Sequence, residues 1–456
     1  MKELLLLSGL GIFALVAELI SVRKLIFPVV LIGLLVNIYF CVWDFNQPQN
    51  VYNMLFVDKF SLMFTGLTSI VAFFWFIFAR SHFGDTPHES DFFALTLFAL
   101  VGIFVLTSYS HFVMLFLGIE ILSIPVYVLA GSDKWNVHSN ESAFKYFILG
   151  AFASAFLLLG IVFIYGAMGS FDVSRITSVP FLKIGLSKQL LYVGMLLILF
   201  AMSFKVAAVP FHFWSPDVYT GAPTFVTAFM STLVKIGAIA AFLRIISVFV
   251  SLNFFSFNKI LLIIGILSII VGNILAVSQA NIKRMLAYSG IGHVGFMILA
   301  ICMLSPSTVY VVWYYMFAYV FANIGAFWVL SKLDNNNDLS AFNGLVRRNP
   351  LLAGTLTICM LSMAGIPPLA GFFAKYFVLI NLIGSQYVWI AIIAILASLI
   401  GVYYYFKVII AVFAGKETQT SKIKVPLLDR IALLLISIVL IVVGIFPDFF
   451  FKLFFK

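Results

Sequence analysis

The feature that most narrows the folding options is a succession of about fourteen long apolar runs, each near the ~20 residues that a helix needs to cross a bilayer core. They fall at approximately 4–20, 25–43, 59–79, 92–108, 111–131, 142–167, 189–220, 223–250, 258–277, 284–303, 308–332, 351–383, 387–414 and 428–448. With 63% hydrophobic and 10% charged residues, the chain lies far from soluble globular proteins, in which about a quarter of residues are charged. The expected fold class is an all-α polytopic membrane protein. The first run has no small-residue cleavage site after it, so it reads as a spanning helix and not as a signal peptide.

Composition also excludes several functions. Cys41, Cys302 and Cys359 stand far apart inside apolar runs, with neither metal spacing nor a disulfide framework. No Gly-rich nucleotide loop, Cys/His cluster or Ser-His-Asp arrangement is present, so any redox chemistry is expected in other chains. The net charge of +10 comes from basic residues scattered through short loops, which points to membrane topology and away from nucleic acid. With the N-terminus outside, Arg23, Lys24, Arg80, Lys134, Arg347 and Arg348 fall on the cytoplasmic side. Lys and Arg there outnumber those on the outer side, so both termini are expected outside.

Two runs are too long for one helix and are interrupted by proline, at Val209-Pro210 and at Gly365-Ile366-Pro367-Pro368. Proline removes one helical hydrogen bond and frees carbonyls near the break. Such backbone is tolerated at membrane depth only inside protein or beside a watery cavity. The breaks lie five spans apart, and an odd offset turns a repeated unit upside down. The expected organisation is three N-terminal helices over 1–91, a five-helix repeat over 92–250, an inverted five-helix repeat over 258–414, and a final helix within 415–456. Inverted repeats with broken helices are a transporter signature.

Charges within the runs mark candidate function, because a charge at the centre of a spanning helix costs about 2.5–3.5 kcal/mol on insertion scales. Glu120 lies halfway along the fifth run, and its expected partner is a lysine; the alternative is a protonated carboxyl bonding a carbonyl freed by Pro125. Lys205 stands five residues before Pro210. Burial disfavours an ammonium and a neighbouring carboxylate favours it, so moving the carboxylate switches Lys205 between binding and releasing a proton. Thr224, Thr227, Ser231 and Lys235 recur at three- and four-residue steps and are expected to share a polar face; the alternative is a helix-packing face. Lys145 follows Glu141 by four residues, the spacing of an ordinary helix ion pair. Gly150 with Ser154, and Ala151 with Ala155, suggest close packing of that helix on the Glu120 helix. In the second half Lys375 follows the break, and Tyr288, Ser289, His293, Tyr315, Tyr319 and Asn323 offer a polar line, although each is also an ordinary packing residue. His212 is expected on the short helix that restarts after Pro210, where it either caps that helix or titrates.

The motifs GIEILSIPVYVLAG (118–131), ESAFKYFILGAFASAFLLLGIVFIYG (141–166), FKVAAVPFHFWSPDVYTGAPTFVTAFMSTLVK (204–235), NIKRMLAYSGIGHVGF (281–296) and GIPPLAGFFAKYFV (365–378) resemble the antiporter-like membrane subunits of respiratory complex I. The resemblance covers most of the chain. It implies proton translocation in the bacterial cytoplasmic membrane, with an ion pair of Glu120 and Lys205 modulated by Lys145, a central Lys235, and Lys375 near an exit half-channel; His212, His293 and Tyr319 join as relay candidates. It also implies no cofactor in this chain, with NADH, FMN, iron-sulfur clusters and quinone held by partner subunits, and adjacent antiporter-like and small membrane subunits as neighbours. The alternative is the large subunit of a multi-subunit cation/proton antiporter, which shares the broken helices.

Overall fold

The structure is a computed structural model that describes residues 1–20, 22–83, 88–177, 186–251, 255–305, 307–333, 337–415 and 422–448. Of the segment expected to hold the final helix, 416–421 and 449–456 lie outside the described residues. The helices in chain order are α1 (Lys2–Leu19), α2 (Ile26–Trp43), α3 (Lys59–Phe83), α4 (Glu89–Ser108), α5 (Phe112–Ala130), α6 (Val137–Met168), α7 (Ser174–Thr177), α8 (Leu186–Val206), α9 (Trp214–Gly221), α10 (Thr224–Phe229) and α11 (Lys235–Ser251). They continue with α12 (Phe255–Val277), α13 (Ile282–Met303), α14 (Thr308–Ser331), α15 (Leu345–Arg348), α16 (Pro350–Ala364), α17 (Ala370–Gly384), α18 (Val388–Ala414) and α19 (Leu427–Ile445).

Twelve helical segments among the described residues are long and apolar enough to cross a membrane. Adding α1, which carries Lys2, Glu3 and Glu18, and the consecutive pair α16 and α17 accounts for every expected span. The chain is a multi-span helical membrane protein. Among the described residues a short hairpin departs from all-α. Gln49–Val51 and Leu55–Val57 pair as an antiparallel hairpin, β1 and β2, through a turn in which Tyr52 and Asn53 take φ of 52° and 57°. Two strands of three residues are too short to register as an alternating pattern.

The chain divides into two compact units. One comprises Met1–Ala207, Gly221–Val226 and Leu233–Asn258, and the other Ala208–Thr220, Thr227–Thr232 and Lys259–Lys456. In the first, α6 is longer than expected, starting where the Asn136 side chain accepts from the His138 amide at 3.0 Å and ending at Gly169 with φ 67°. Gly160 lets α6 meet α8 closely, since a Cβ there would stand 2.9 Å from the Gly194 carbonyl oxygen. Gly150 lies beneath the Tyr127 hydroxyl of α5, as the small-residue spacing predicts. Ala151 and Ala155, the other pair, are exposed.

Both proline breaks are present. After α8, Ala207 takes φ 61°, and the Val209-Pro210 bond is cis. The Val209 amide, which no helix satisfies, donates to the Ser268 hydroxyl at 2.9 Å. In the second unit α16 ends at Gly365, φ 84°, and the Pro367-Pro368 bond is cis. The chain restarts as α17, whose Gly371 amide donates to the Ser362 hydroxyl at 3.2 Å.

Candidate functional site

In the first unit, α5, α6 and α8 bring Glu120 and Lys205 into one neighbourhood. Lys205 is 6% exposed, and its ammonium donates to the Ser123 hydroxyl at 2.5 Å. It also lies 5.9 Å from the Tyr127 ring centre and 5.5 Å from that of Tyr146, within the range of a cation–π attraction. Ser123 in turn donates to the carbonyl of Ile119. The Glu120 carboxylate accepts from the Ser154 hydroxyl of α6, and Ser154 lines the same small cavity as Lys205. The expected ion pair is therefore indirect: the two charges share a neighbourhood, but each is held by a serine. A small cavity lined by Ser154, Lys205, Tyr127 and Gly150 lies between these helices.

Lys145 is placed differently from the other lysines. Its ammonium meets Glu141 at 2.6 Å, with the two side chains 40% and 51% exposed, so the structure realises the ordinary i,i+4 pair. Lys235 is 3% exposed and opens α11 directly after a π turn over Met230–Val234. That turn changes the expected stripe, because three- and four-residue steps no longer stay on one face across it. The local sequence supports the turn: the Ala228 carbonyl accepts from the hydroxyls of Ser231 at 3.2 Å and Thr232 at 2.6 Å. Thr227, at the other end, donates to the Tyr219 carbonyl at 3.0 Å.

In the second unit, the Lys375 ammonium donates to the Ala364 carbonyl at 2.8 Å and to the Ser398 hydroxyl at 2.9 Å. Gly365 makes this approach available, since a Cβ there would stand 3.0 Å from Lys375 Cδ. His293 is 7% exposed; its Nδ1 pairs with the Tyr315 hydroxyl at 2.8 Å and its Nε2 with the Tyr405 hydroxyl at 3.1 Å. Tyr405 also pairs with Ser289. Tyr319 packs its ring 5.1 Å from that of His293, while Asn323 turns back to the Tyr319 carbonyl at 3.1 Å. Tyr288 is half-buried and makes none of these contacts. Sequence reading missed Ser398, Tyr404, Tyr405 and Asn273. The run VYYYFK over 402–407 was the available signal, and tyrosines in an apolar helix pass equally well for packing.

His212 lies in the turn before α9 and not on the helix. It is 4% exposed, its ring is 4.3 Å from that of Phe213, and its Nδ1 has no hydrogen-bond partner among the described residues. On α9 itself, Asp217 pairs with Arg284 at 3.0 Å. Among the described residues no group of three or more His, Cys, Asp or Glu side chains is arranged to hold a metal ion.

The transmembrane family described as NADH:quinone oxidoreductase/Mrp antiporter matches residues 110–401. The chain is 42% identical over 454 residues to NADH-quinone oxidoreductase subunit N of Cytophaga hutchinsonii, covering 98% of each. It is 41% identical to subunit N of Flavobacterium psychrophilum, with 99% of this chain and 100% of that one covered. Among solved structures, a chain of respiratory complex I from Thermus thermophilus with bound aureothin superimposes with a TM-score of 0.86 at 32% identity, over 98% of this chain and 97% of that one. By the extent of these matches and by its two broken helices, this chain belongs to the NADH:quinone oxidoreductase/Mrp antiporter transmembrane family.

Proposed function

We propose that the chain is a proton-translocating membrane-arm subunit of a respiratory NADH:quinone oxidoreductase, of the subunit N type, carrying no redox centre of its own. The observation that carries this reading is the company kept by Lys205 and Lys375. A permanently charged ammonium in apolar surroundings calls for a counter-charge, and removing the counter-charge is costly. Lys205, with Glu120 in its neighbourhood but not bonded to it, and Lys375 donate to serine hydroxyls and a helix-end carbonyl, partners that suit an ammonium and a neutral amine alike. Such a lysine can gain and lose a proton without dismantling its site.

In this reading Glu120 transmits a change of charge from neighbouring subunits to Lys205, with Lys145 adjusting it from the helix edge. Protons pass by way of Lys205 and Lys235 and then through His293 and Tyr319 to Lys375, with His212 as an additional titrating group. Moving one charge against 100 mV requires about 2.3 kcal/mol, and a change of about two pKa units at a lysine corresponds to roughly 2.7. The residues 92–250 and 258–414 act as inverted repeats flanked by 1–91 and 415–456. NADH, FMN, iron-sulfur clusters and quinone belong to partner subunits, the membrane is the bacterial cytoplasmic membrane, and both termini face outward.

The antiporter reading is favoured less because relatives named as subunit N match over nearly the whole chain. Copurification separates the two. A tagged chain that brings down NADH-oxidising activity from solubilised membranes supports the complex I reading, and a tagged chain bound only to small membrane partners without that activity refutes it.

A further inference from the structure

His293, together with Met363, lines two small cavities of the second unit, and of these two residues it is the one that can carry a proton. One is lined by Lys375, Ser398, Ser289, Asn273, Tyr404 and Tyr405, the other by Tyr315, Tyr319, Ser362 and Gly371 among others. The imidazole engages a tyrosine with each ring nitrogen, Nδ1 to Tyr315 and Nε2 to Tyr405. A neutral imidazole has one donor and one acceptor nitrogen, so one tyrosine donates to the ring and the other accepts from it. The three side chains therefore form a line of hydrogen bonds with a direction.

We propose that Tyr315, His293 and Tyr405 form a single-file proton wire between these two cavities, with the two tyrosine hydroxyls as proton-carrying groups. The proposal rests on the translocation route given above and adds carriers to it. At the start Tyr315 donates its O–H to Nδ1, and Nε2–H donates to the Tyr405 oxygen. A proton arriving from the Tyr319 cavity binds the Tyr315 oxygen, whose own proton moves to Nδ1. The Nε2 proton moves to Tyr405, and the Tyr405 proton leaves into the cavity that holds Lys375, where a neutral amine accepts it. One proton enters and one leaves, no side chain keeps a charge, and the histidine tautomer is inverted. The wire carries a second proton in the same direction only after the imidazole and both hydroxyls have been reset, so it passes one proton per reorientation.

The surroundings aim Tyr405 for this task. Its neighbour Tyr404 donates to Asn273 Oδ1 at 3.1 Å, and Asn273 is anchored to the Ile269 carbonyl at 2.8 Å. Gly401 lets α18 approach, since a Cβ there would stand 2.8 Å from Asn273 Oδ1. This contact fixes the rotation of α18 and points the adjacent tyrosine at the imidazole. Lys375 spends two donors on Ala364 and Ser398, which leaves one position on its nitrogen for the transferred proton.

The test uses the intact complex in proteoliposomes, with NADH–ferricyanide activity reporting how much assembled complex is present. Tyr405→Phe and Tyr315→Phe are each expected to slow NADH-driven acidification about a hundredfold or more at equal ferricyanide activity, the lower end of what a positioned proton-transfer group contributes. Wild-type acidification in both variants overturns the wire. If the phenylalanine variants do not assemble, 3,5-difluorotyrosine at 405 keeps ring and hydroxyl while making the hydroxyl more acidic. Its acidification is expected to fall away at alkaline pH where the wild type still pumps, and an unchanged pH profile overturns the wire. Lys235→Ala and Lys375→Ala run in parallel. If they too pump normally, the route itself is wrong; if they fail while the tyrosine variants pump, the wire alone is wrong.

Discussion

The Lys375 ammonium donates to the carbonyl oxygen of Ala364, 2.8 Å away, so the residue that ends α16 is capped by the lysine that follows the break. A helix end deep in a membrane protein needs a partner for its last carbonyls, and here the partner is itself a candidate proton carrier. In the proposed route, structure and function thus meet at one bond.

This tie makes Gly365 sensitive. Its φ of 84° disfavours any side chain, and the contact with Lys375 Cδ at 3.0 Å leaves little room. Gly365→Ala is expected to cost about 1–2 kcal/mol in backbone strain and to displace the lysine. The expected outcome is a lower melting temperature of the purified complex together with reduced NADH-driven pumping; a variant with unchanged melting and pumping contradicts the cap.

In the proposed route the indirect pairing of Glu120 with Lys205 gives the two serines a part in translocation. Ser154→Ala releases Glu120 from its donor, and Ser123→Ala removes the acceptor from Lys205, a hydrogen bond to a charged group worth about 1.5–3 kcal/mol. Each is expected to lower the rate of proton pumping while NADH–ferricyanide activity stays unchanged. Glu120→Gln is expected to have the larger effect, because it removes the charge that acts on Lys205. Dye-quench traces in membrane vesicles check the order.

The π turn over Met230–Val234 carries one residue more than an α turn would. Inserting one alanine between Val234 and Lys235 is expected to swing the lysine by about 100° relative to Thr224 and Thr227. Assembly on native gels with loss of pumping is the expected result. Retained pumping shows that the facing of Lys235 does not matter.

Away from the proposed route, Lys332 at the end of α14 meets Asp429 in the first turn of α19 at 2.5 Å, with the two side chains 12% and 5% exposed. Removing one partner strands a buried charge and costs about 3–5 kcal/mol. Lys332→Ala is expected to lower thermal stability in detergent, and Lys332→Met combined with Asp429→Leu to recover most of it. A double variant as unstable as the single one contradicts this reading.

Much of this molecule was legible from its residues because the membrane enforces simple rules. Apolar length set the spans, Pro210, Pro367 and Pro368 set the breaks, and Glu120, Lys205, Lys235 and Lys375 stood out because charge within a spanning run is costly. What stayed hidden depends on three-dimensional register. Ser123 and Ser154 read as packing residues until α5, α6 and α8 are assembled. A π turn leaves no apolar periodicity of its own, so the Thr224-to-Lys235 stripe looked continuous. Tyr404 and Tyr405 are adjacent in sequence, yet one locks α18 to Asn273 and the other faces His293, a division that only helix rotation decides. Lys145 shows the opposite case, where the plain reading of an i,i+4 pair with Glu141 is what the structure contains.

The most direct test of the central claim, that buried ammonium groups carry the translocated protons, is the number of protons pumped per NADH oxidised by proteoliposomes containing the Lys235→Ala complex. The account predicts that this ratio falls well below the wild-type value while NADH–ferricyanide activity is retained. A wild-type ratio from a fully assembled variant would contradict it.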